Sequence, residues 1–223
     1  MTAQTLTATA PTDAPLPVFD NAQAWYGPAM AARTDWIHTF TASQLAELDA
    51  LVRKADASGK DLLALHRDDF PLPGLQDCLL EARRELLSGR GFALFRGIPV
   101  DRYSTRQSAI AYWALGQHLG EPVSQNGKGH VLGHVTNLGL DYADPEVRGY
   151  QTSARLSYHT DSSDIVALLC LRVSRSGGLS SIVSSTTVWN ELVRRRPDHA
   201  RTLLNEFHRT RWSEIPAGQK RYS

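Results

Sequence analysis

Through the first half of the chain, apolar residues recur at helical spacing. Thr41 is followed three residues later by Gln44, the pattern of a capping box. Leu45, Leu48, Leu51, Val52 and Ala55 then share one face of a predicted helix, which Ser58 and Gly59 end. A turn rich in Pro and Gly runs from Phe70 to Gly74. A second helix is predicted over Leu75–Ser88, with Leu75, Leu79, Ala82 and Leu86 on one face and Gly89 and Gly91 at its end. The segment from Phe92 to Ile98 is short and apolar, is closed by Gly97 and Pro99, and reads as a strand. A third helix is predicted from about Thr105 to Leu119, with Ile110, Trp113, Ala114 and Gln117 near one face and Gly120 at its C-cap.

Beyond the loop opened by Glu121-Pro122 the texture changes to short runs broken by Gly, Asn and Asp. Val131–Thr136, Leu156–His159, Ile165–Val173 and Leu179–Ser184 are strand candidates. Trp189–Arg195 reads as a helix stopped at Pro197. Helices followed by several β-segments predict an α+β fold built around a sandwich or barrel. No internal repeat points to a solenoid or propeller. Residues 1–33 are expected to be a disordered leader, most plainly Met1 to Pro17, and residues 34–223 a single domain.

Composition narrows the class. A chain of 223 residues with 42% hydrophobic and 21% charged content has room for one sizeable core and is not a disordered or fibrous protein. The formal net charge of +1 gives no global field to draw in nucleic acid or an anionic membrane, so neither is an expected partner. The N-terminus lacks the basic and apolar blocks of a targeting signal. The longest apolar run, Ile165 to Leu171, falls far short of the ~18 residues a membrane span requires. Cys78 and Cys170 are too few for a disulfide framework and read as small buried hydrophobes. A reducing, cytoplasmic setting is expected.

The chemistry concentrates in Ser157-Tyr158-His159-Thr160-Asp161. In a strand, residues two apart point the same way, so His159 and Asp161 would project side by side. One imidazole and one carboxylate make two thirds of the facial triad that holds iron(II) while leaving positions open for other ligands. Read alone, the triplet is a weak signal, and an exposed loop with a His–Asp hydrogen bond fits it better.

The wider sequence weighs on that choice. The segment from His159-Thr160-Asp161 through Ile165-Val166-Ala167-Leu168-Leu169-Cys170-Leu171-Arg172 to Ser176-Gly177-Gly178-Leu179-Ser180-Ser181 resembles the taurine dioxygenase/TfdA-like family. Gly91-Phe92-Ala93-Leu94-Phe95-Arg96-Gly97 is similar to that family's opening core strand, and Leu115-Gly116-Gln117-His118-Leu119-Gly120-Glu121-Pro122 to the helix end after it. The resemblance covers about Leu75 to Trp212. It implies a partial double-stranded β-helix, or jelly roll, with flanking N-terminal helices. It implies an iron(II)- and 2-oxoglutarate-dependent dioxygenase that hydroxylates a small organic substrate with dioxygen. His159 and Asp161 match the first two iron ligands, and Ser180 a hydroxyl residue that hydrogen-bonds 2-oxoglutarate. Asn137 and Tyr158 are candidates for the substrate pocket. Gly177 and Gly178 fit a tight hairpin turn with positive φ.

The resemblance also implies a distal histidine and a 2-oxoglutarate-binding arginine well downstream. An arginine suits that role because its planar fork grips a carboxylate with two parallel hydrogen bonds. His199, His208, Arg209 and Arg211 do not match those positions, so the domain is expected to be an incomplete one, encoded as a fragment or truncated frame. The alternative expectation is a catalytically inactive remnant. It would serve as a weak metal binder, or as an interaction module pairing its open sheet edge with another copy in a homo-oligomer. A zinc hydrolase is disfavoured, since zinc takes at least three protein ligands and no His-Glu-x-x-His occurs. His130 and His134, four apart in a Gly-rich stretch, are expected to line the site's mouth. Arg194-Arg195-Arg196 reads as a solvated helix end.

Overall fold

The computed structural model describes residues 14–125, 129–144, 147–161 and 163–207. Residues 1–13 of the expected leader, Ser162, His208, Arg209, Arg211 and Trp212 lie outside the described residues. In chain order the elements are α1 (Gly27–Ala31), β1 (Ile37–Thr39), α2 (Ala42–Ala57), α3 (Gln76–Leu87), β2 (Leu94–Arg96), α4 (Thr105–Leu119), α5 (Ser185–Arg195) and α6 (Pro197–Leu203). Short 3₁₀ turns lie at Leu62–Ala64, Arg67–Asp69 and Gly149–Gln151. Among the described residues no helix is long and apolar enough to cross a membrane.

The three helices expected in the first half are present, and local chemistry explains their bounds. At the start of α2, Gln44 N–H donates to Thr41 Oγ1 (3.3 Å) while Thr41 N–H donates to Gln44 Oε1 (3.0 Å). Two otherwise orphaned helix-end donors are thereby satisfied. Ser104 and Gln107 form the same reciprocal box on α4. Gly120 ends α4 as expected, but in an extended conformation with φ of −178°, its N–H returning to Gly116 O. The Phe70–Gly74 turn is clamped by α2: Gln44 Nε2 donates to Gly74 O (3.0 Å), and Gly74 N–H donates to Glu47 Oε1 (3.1 Å).

The core lies where α2 and α3 pack on α4. Leu48, Val52, Phe70, Leu75, Ala82, Ile110, Ala111 and Ala114 are fully buried there. The Leu65–Phe70 connection buries its two end residues against this core, and their carbonyls need partners. α4 supplies them: Trp113 Nε1 (2.8 Å) and Gln117 Nε2 (2.7 Å) both donate to Leu65 O, and His118 Nε2 lies 2.9 Å from Phe70 O. Arg106 and Gln107 at the N-terminal end of α4 both hydrogen-bond the Asp56 carboxylate of α2.

The expected strand within Phe92–Ile98 forms as β2. It pairs in parallel with β1, which the hydrophobic pattern did not predict, in the register Ile37↔Leu94, His38↔Phe95 and Thr39↔Arg96. Phe40 stacks on Phe95 at 5.3 Å between centroids.

The second half departs from expectation. Val131–Thr136, Leu156–His159, Ile165–Val173 and Leu179–Ser184 are not strands among the described residues. The physical reason is the lack of ladder partners there: an apolar run becomes a strand only when a neighbour takes its N–H and C=O groups. Leu168, Val173 and Leu179 are accordingly 77%, 88% and 95% exposed. Two backbone bonds, Thr136 N–H to Tyr150 O and Leu138 N–H to Gln151 O, are the pairing seen between residues 136–138 and the Gly149–Gln151 turn. Cys170, expected to be buried, is exposed with the run that carries it, whereas Cys78 is half-buried and its thiol is pushed up by desolvation. The α5 helix starts at Ser185, earlier than expected. Pro197 both ends α5 and opens α6, since proline is tolerated at the first helical position. From residue 14, the segment expected as leader is hydrogen-bonded to α5 and α6.

One ionic cluster joins the end of α3 to the approach to β1. Arg90 reaches Glu85 (2.8 Å) and Asp35 (3.2 Å) with its side chain only 12% exposed. The Arg90 guanidinium holds the Glu85 carboxyl below its ordinary range, and Arg33 brings Asp35 down to about 2. A depressed carboxyl contributes stability above its unfolded pKa and loses it as pH falls toward the folded value. Thermal stability should therefore fall as pH drops from about 5 toward 2. Glu85→Gln should lower the melting temperature at neutral pH and flatten this acid slope, as followed by circular dichroism. Phe70→Ala, which empties the centre of the core, should cost about 3–5 kcal/mol in denaturant titration.

Candidate metal centre

The candidate ligands sit in an irregular segment that follows the Gly149–Gln151 turn. That turn is fixed by Arg148 N–H donating to Gln151 Oε1 (3.1 Å) and by Thr152 capping Gly149 O. A Cβ at Gly149 would run into the Leu156 side chain, so glycine lets the stretch leading to His159 lie close to the turn. The far side is held by α4, whose Tyr112 hydroxyl donates to Ala167 O at 2.5 Å. Tyr112 lies off the face formed by Ile110, Trp113, Ala114 and Gln117. It anchors the apolar run after Asp161, a role the helical periodicity did not reveal.

His159 and Asp161 are both exposed. The His159 Nδ1 atom lies 2.7 Å from Ser157 O. A carbonyl oxygen can only accept, so Nδ1 must carry the proton in this contact. In the neutral ring this leaves the Nε2 lone pair available, the state a metal-ligating imidazole needs, with its other nitrogen donating to a backbone carbonyl. One imidazole nitrogen and one carboxylate fit the donor preferences of ferrous iron. Among the described residues, no group of three or more His, Cys, Asp or Glu side chains is placed to hold a metal. His199 is engaged elsewhere, beside Arg196 and Asp198 on α6.

Among the described residues, no hydrogen bond is seen joining Ser180, Tyr158 or Asn137 to the His159–Asp161 pair. Ser180 is exposed. Tyr158 is 64% exposed. Asn137 closes a local turn by accepting Gly139 N–H at 2.8 Å. His134 is exposed, as is His130. Gly177 and Gly178 both have φ of +68°, the backbone state a two-residue hairpin turn demands, and Ser174 Oγ donates to Gly177 O across it. A cleft of about 320 Å³ lies elsewhere, between residues 18–26 and α5, and its walls include none of these residues.

Tyr112→Phe removes the anchor on Ala167 while leaving the ring in place. It should cost about 1 kcal/mol and speed amide exchange through residues 163–173, with α2 and α3 unaffected, as read by hydrogen exchange.

Comparison with known proteins places the chain in a family. The model of the taurine catabolism dioxygenase TauD, TfdA family matches residues 56–222. The chain is 27% identical over 175 residues to FR-33289 synthase of Streptomyces rubellomurinus (strain ATCC 31215), covering 78% of this chain and 52% of that protein. It is 26% identical over 191 residues to the taurine hydroxylase-like protein SAT17 of Stachybotrys chartarum (strain CBS 109288 / IBT 7711), covering 82% of this chain and 50% of that protein. The chain therefore spans about half the length of the curated relatives it matches. With the family match running from within α2 almost to the last residue, across the His159–Asp161 pair, this chain belongs to the TauD/TfdA family of dioxygenases.

Proposed function

We propose that this chain carries the iron-binding portion of an iron(II)/2-oxoglutarate-dependent hydroxylase acting on a small organic substrate. The observation that carries this reading is His159, whose Nδ1 contact with Ser157 O leaves Nε2 free, with the Asp161 carboxylate two residues on in sequence. His159 and Asp161 would hold the metal. Ser180 would hydrogen-bond 2-oxoglutarate, and Asn137 and Tyr158 would line the substrate's approach. Bound iron(II), with 2-oxoglutarate and dioxygen, supplies the oxidising power to hydroxylate a C–H bond. The chain's own part is to keep the imidazole in one tautomer and to place the carboxylate beside it. In this reading residues 34–223 are part of a jelly-roll domain, with the apolar runs at 165–173 and 179–184 as its strands, in a cytoplasmic setting. The names of the relatives, a synthase and a taurine hydroxylase-like protein, agree with small-molecule chemistry.

A second reading is favoured by the exposure of Leu168, Val173 and Leu179 and by the two-residue donor set. In it the chain is a weak metal binder or interaction module without turnover, and two copies pair through the uncovered segments.

Titration of the full chain with iron(II) under anaerobic conditions tests the ligand assignment. His159→Ala and Asp161→Ala should each weaken binding about tenfold or more, with the circular dichroism spectrum unchanged. Unchanged affinity in both variants would remove the assignment. Succinate release from 2-oxoglutarate then separates the two readings: release that depends on His159 establishes the hydroxylase, and His159-dependent binding without succinate establishes the inactive module.

A further inference from the structure

The buried polar side chains among the described residues are Ser108, Ser184, Thr187 and Asn190. Three of these belong to α5 or its cap, and each meets the backbone of residues 19–25. Asn190 Oδ1 accepts Phe19 N–H at 2.8 Å, and Asn190 Nδ2 donates to Phe19 O at 2.6 Å. Ser184 Oγ donates to Gln23 O, and Thr187 Oγ1 donates to Trp25 O at 2.7 Å. Flanking contacts extend the row: Trp189 Nε1 to Pro17 O, Tyr26 OH to Glu191 Oε1, and Arg201 to Ala14 O. The usual logic of a helix is inverted here, because the buried face of α5 is polar while its Val188 is 50% exposed.

We infer that residues 14–26 form a polar latch on α5 and α6, and that latch and helices open together as one unit while the α2–α4 core stays closed. A contact made of hydroxyl, amide and backbone groups loses little on opening, because water replaces each hydrogen bond as it breaks. Little apolar surface is sacrificed, since Val18 and Phe19 are 47% and 45% exposed when latched. The α5 helix packs chiefly on α6, so no large apolar interface ties the pair to the core. The α2–α4 core holds Phe70, Leu48 and Ile110 fully buried, and apolar burial has no such substitute in water. Trp25 is the pivot. Its ring lies 5.2 Å from Phe92 and its Nε1 donates to Arg90 O at 2.8 Å, on the core side, while its own carbonyl takes the Thr187 hydroxyl.

Native-state hydrogen exchange of the full chain, across a series of low denaturant concentrations, tests this. The Phe19 amide and the interior amides of α5 and α6 should share one opening isotherm that lies below that of α2–α4. Asn190→Ala, which removes both bonds to Phe19, should speed exchange in α5 and α6 about tenfold while leaving α2–α4 unchanged. Exchange of α5 and α6 only through global unfolding, or equal acceleration of the core by Asn190→Ala, would overturn the inference. Should that variant not fold, the wild-type isotherms decide the question by themselves.

Discussion

The fold depends on how α4 treats the carbonyls of the Leu65–Phe70 connection. Leu65 and Phe70 are buried at the two ends of this connection, and the Leu65 carbonyl would be costly to leave without a partner there. Trp113, Gln117 and His118 meet the two end carbonyls from a helix that also buries Ile110, Ala111, Ala114, Leu115 and Leu119. A single element therefore packs α2 and α3 while satisfying the backbone that joins them. Asp56, held by both Arg106 and Gln107, fixes the same helix at its other end. With α4 immobilised at both ends, Tyr112 becomes a fixed point from which the less regular half of the chain hangs.

What could be read in advance divides along the range of the interaction. Thr41 and Gln44 settle the start of α2 within one turn, and the apolar periodicity of residues 45–55 names the side chains that end up buried. Gly177 and Gly178 adopt the positive φ that their identity implies. The strand β1 was illegible because three residues containing His38 have no pattern of their own. They become a strand only through Phe95 and its neighbours, far along the chain. The runs at 165–173 and 179–184 fail in the opposite sense: their composition suits a strand, yet composition cannot supply the neighbour that a ladder requires. The buried face of α5 escaped because Ser184, Thr187 and Asn190 look like solvent-facing residues to any hydrophobic pattern.

The candidate metal site shows the same division. The identity of His159 and Asp161, and their spacing, is a local matter, and the TauD/TfdA family match spans them. The tautomer of His159 was not in the sequence at all; it follows from the position of Ser157 O. Any meeting of Ser180, Asn137 and Tyr158 would rest on long-range pairing, which no local pattern encodes.

The latch also has a meaning for the order in which the chain is made. Its bonds join residues near the start to residues near residue 190, with sequence separations of 161 to 187. During synthesis from the N-terminus, α2, α3 and α4 can assemble while α5 does not yet exist. Through that interval the carbonyls of Gln23 and Trp25 face only water. The Trp25 ring, however, can settle on Phe92 as soon as that residue emerges. An early aromatic contact thus holds the segment at the site where its polar partners will later arrive. The α5 and α6 helices, emerging later, then dock onto a backbone already in place.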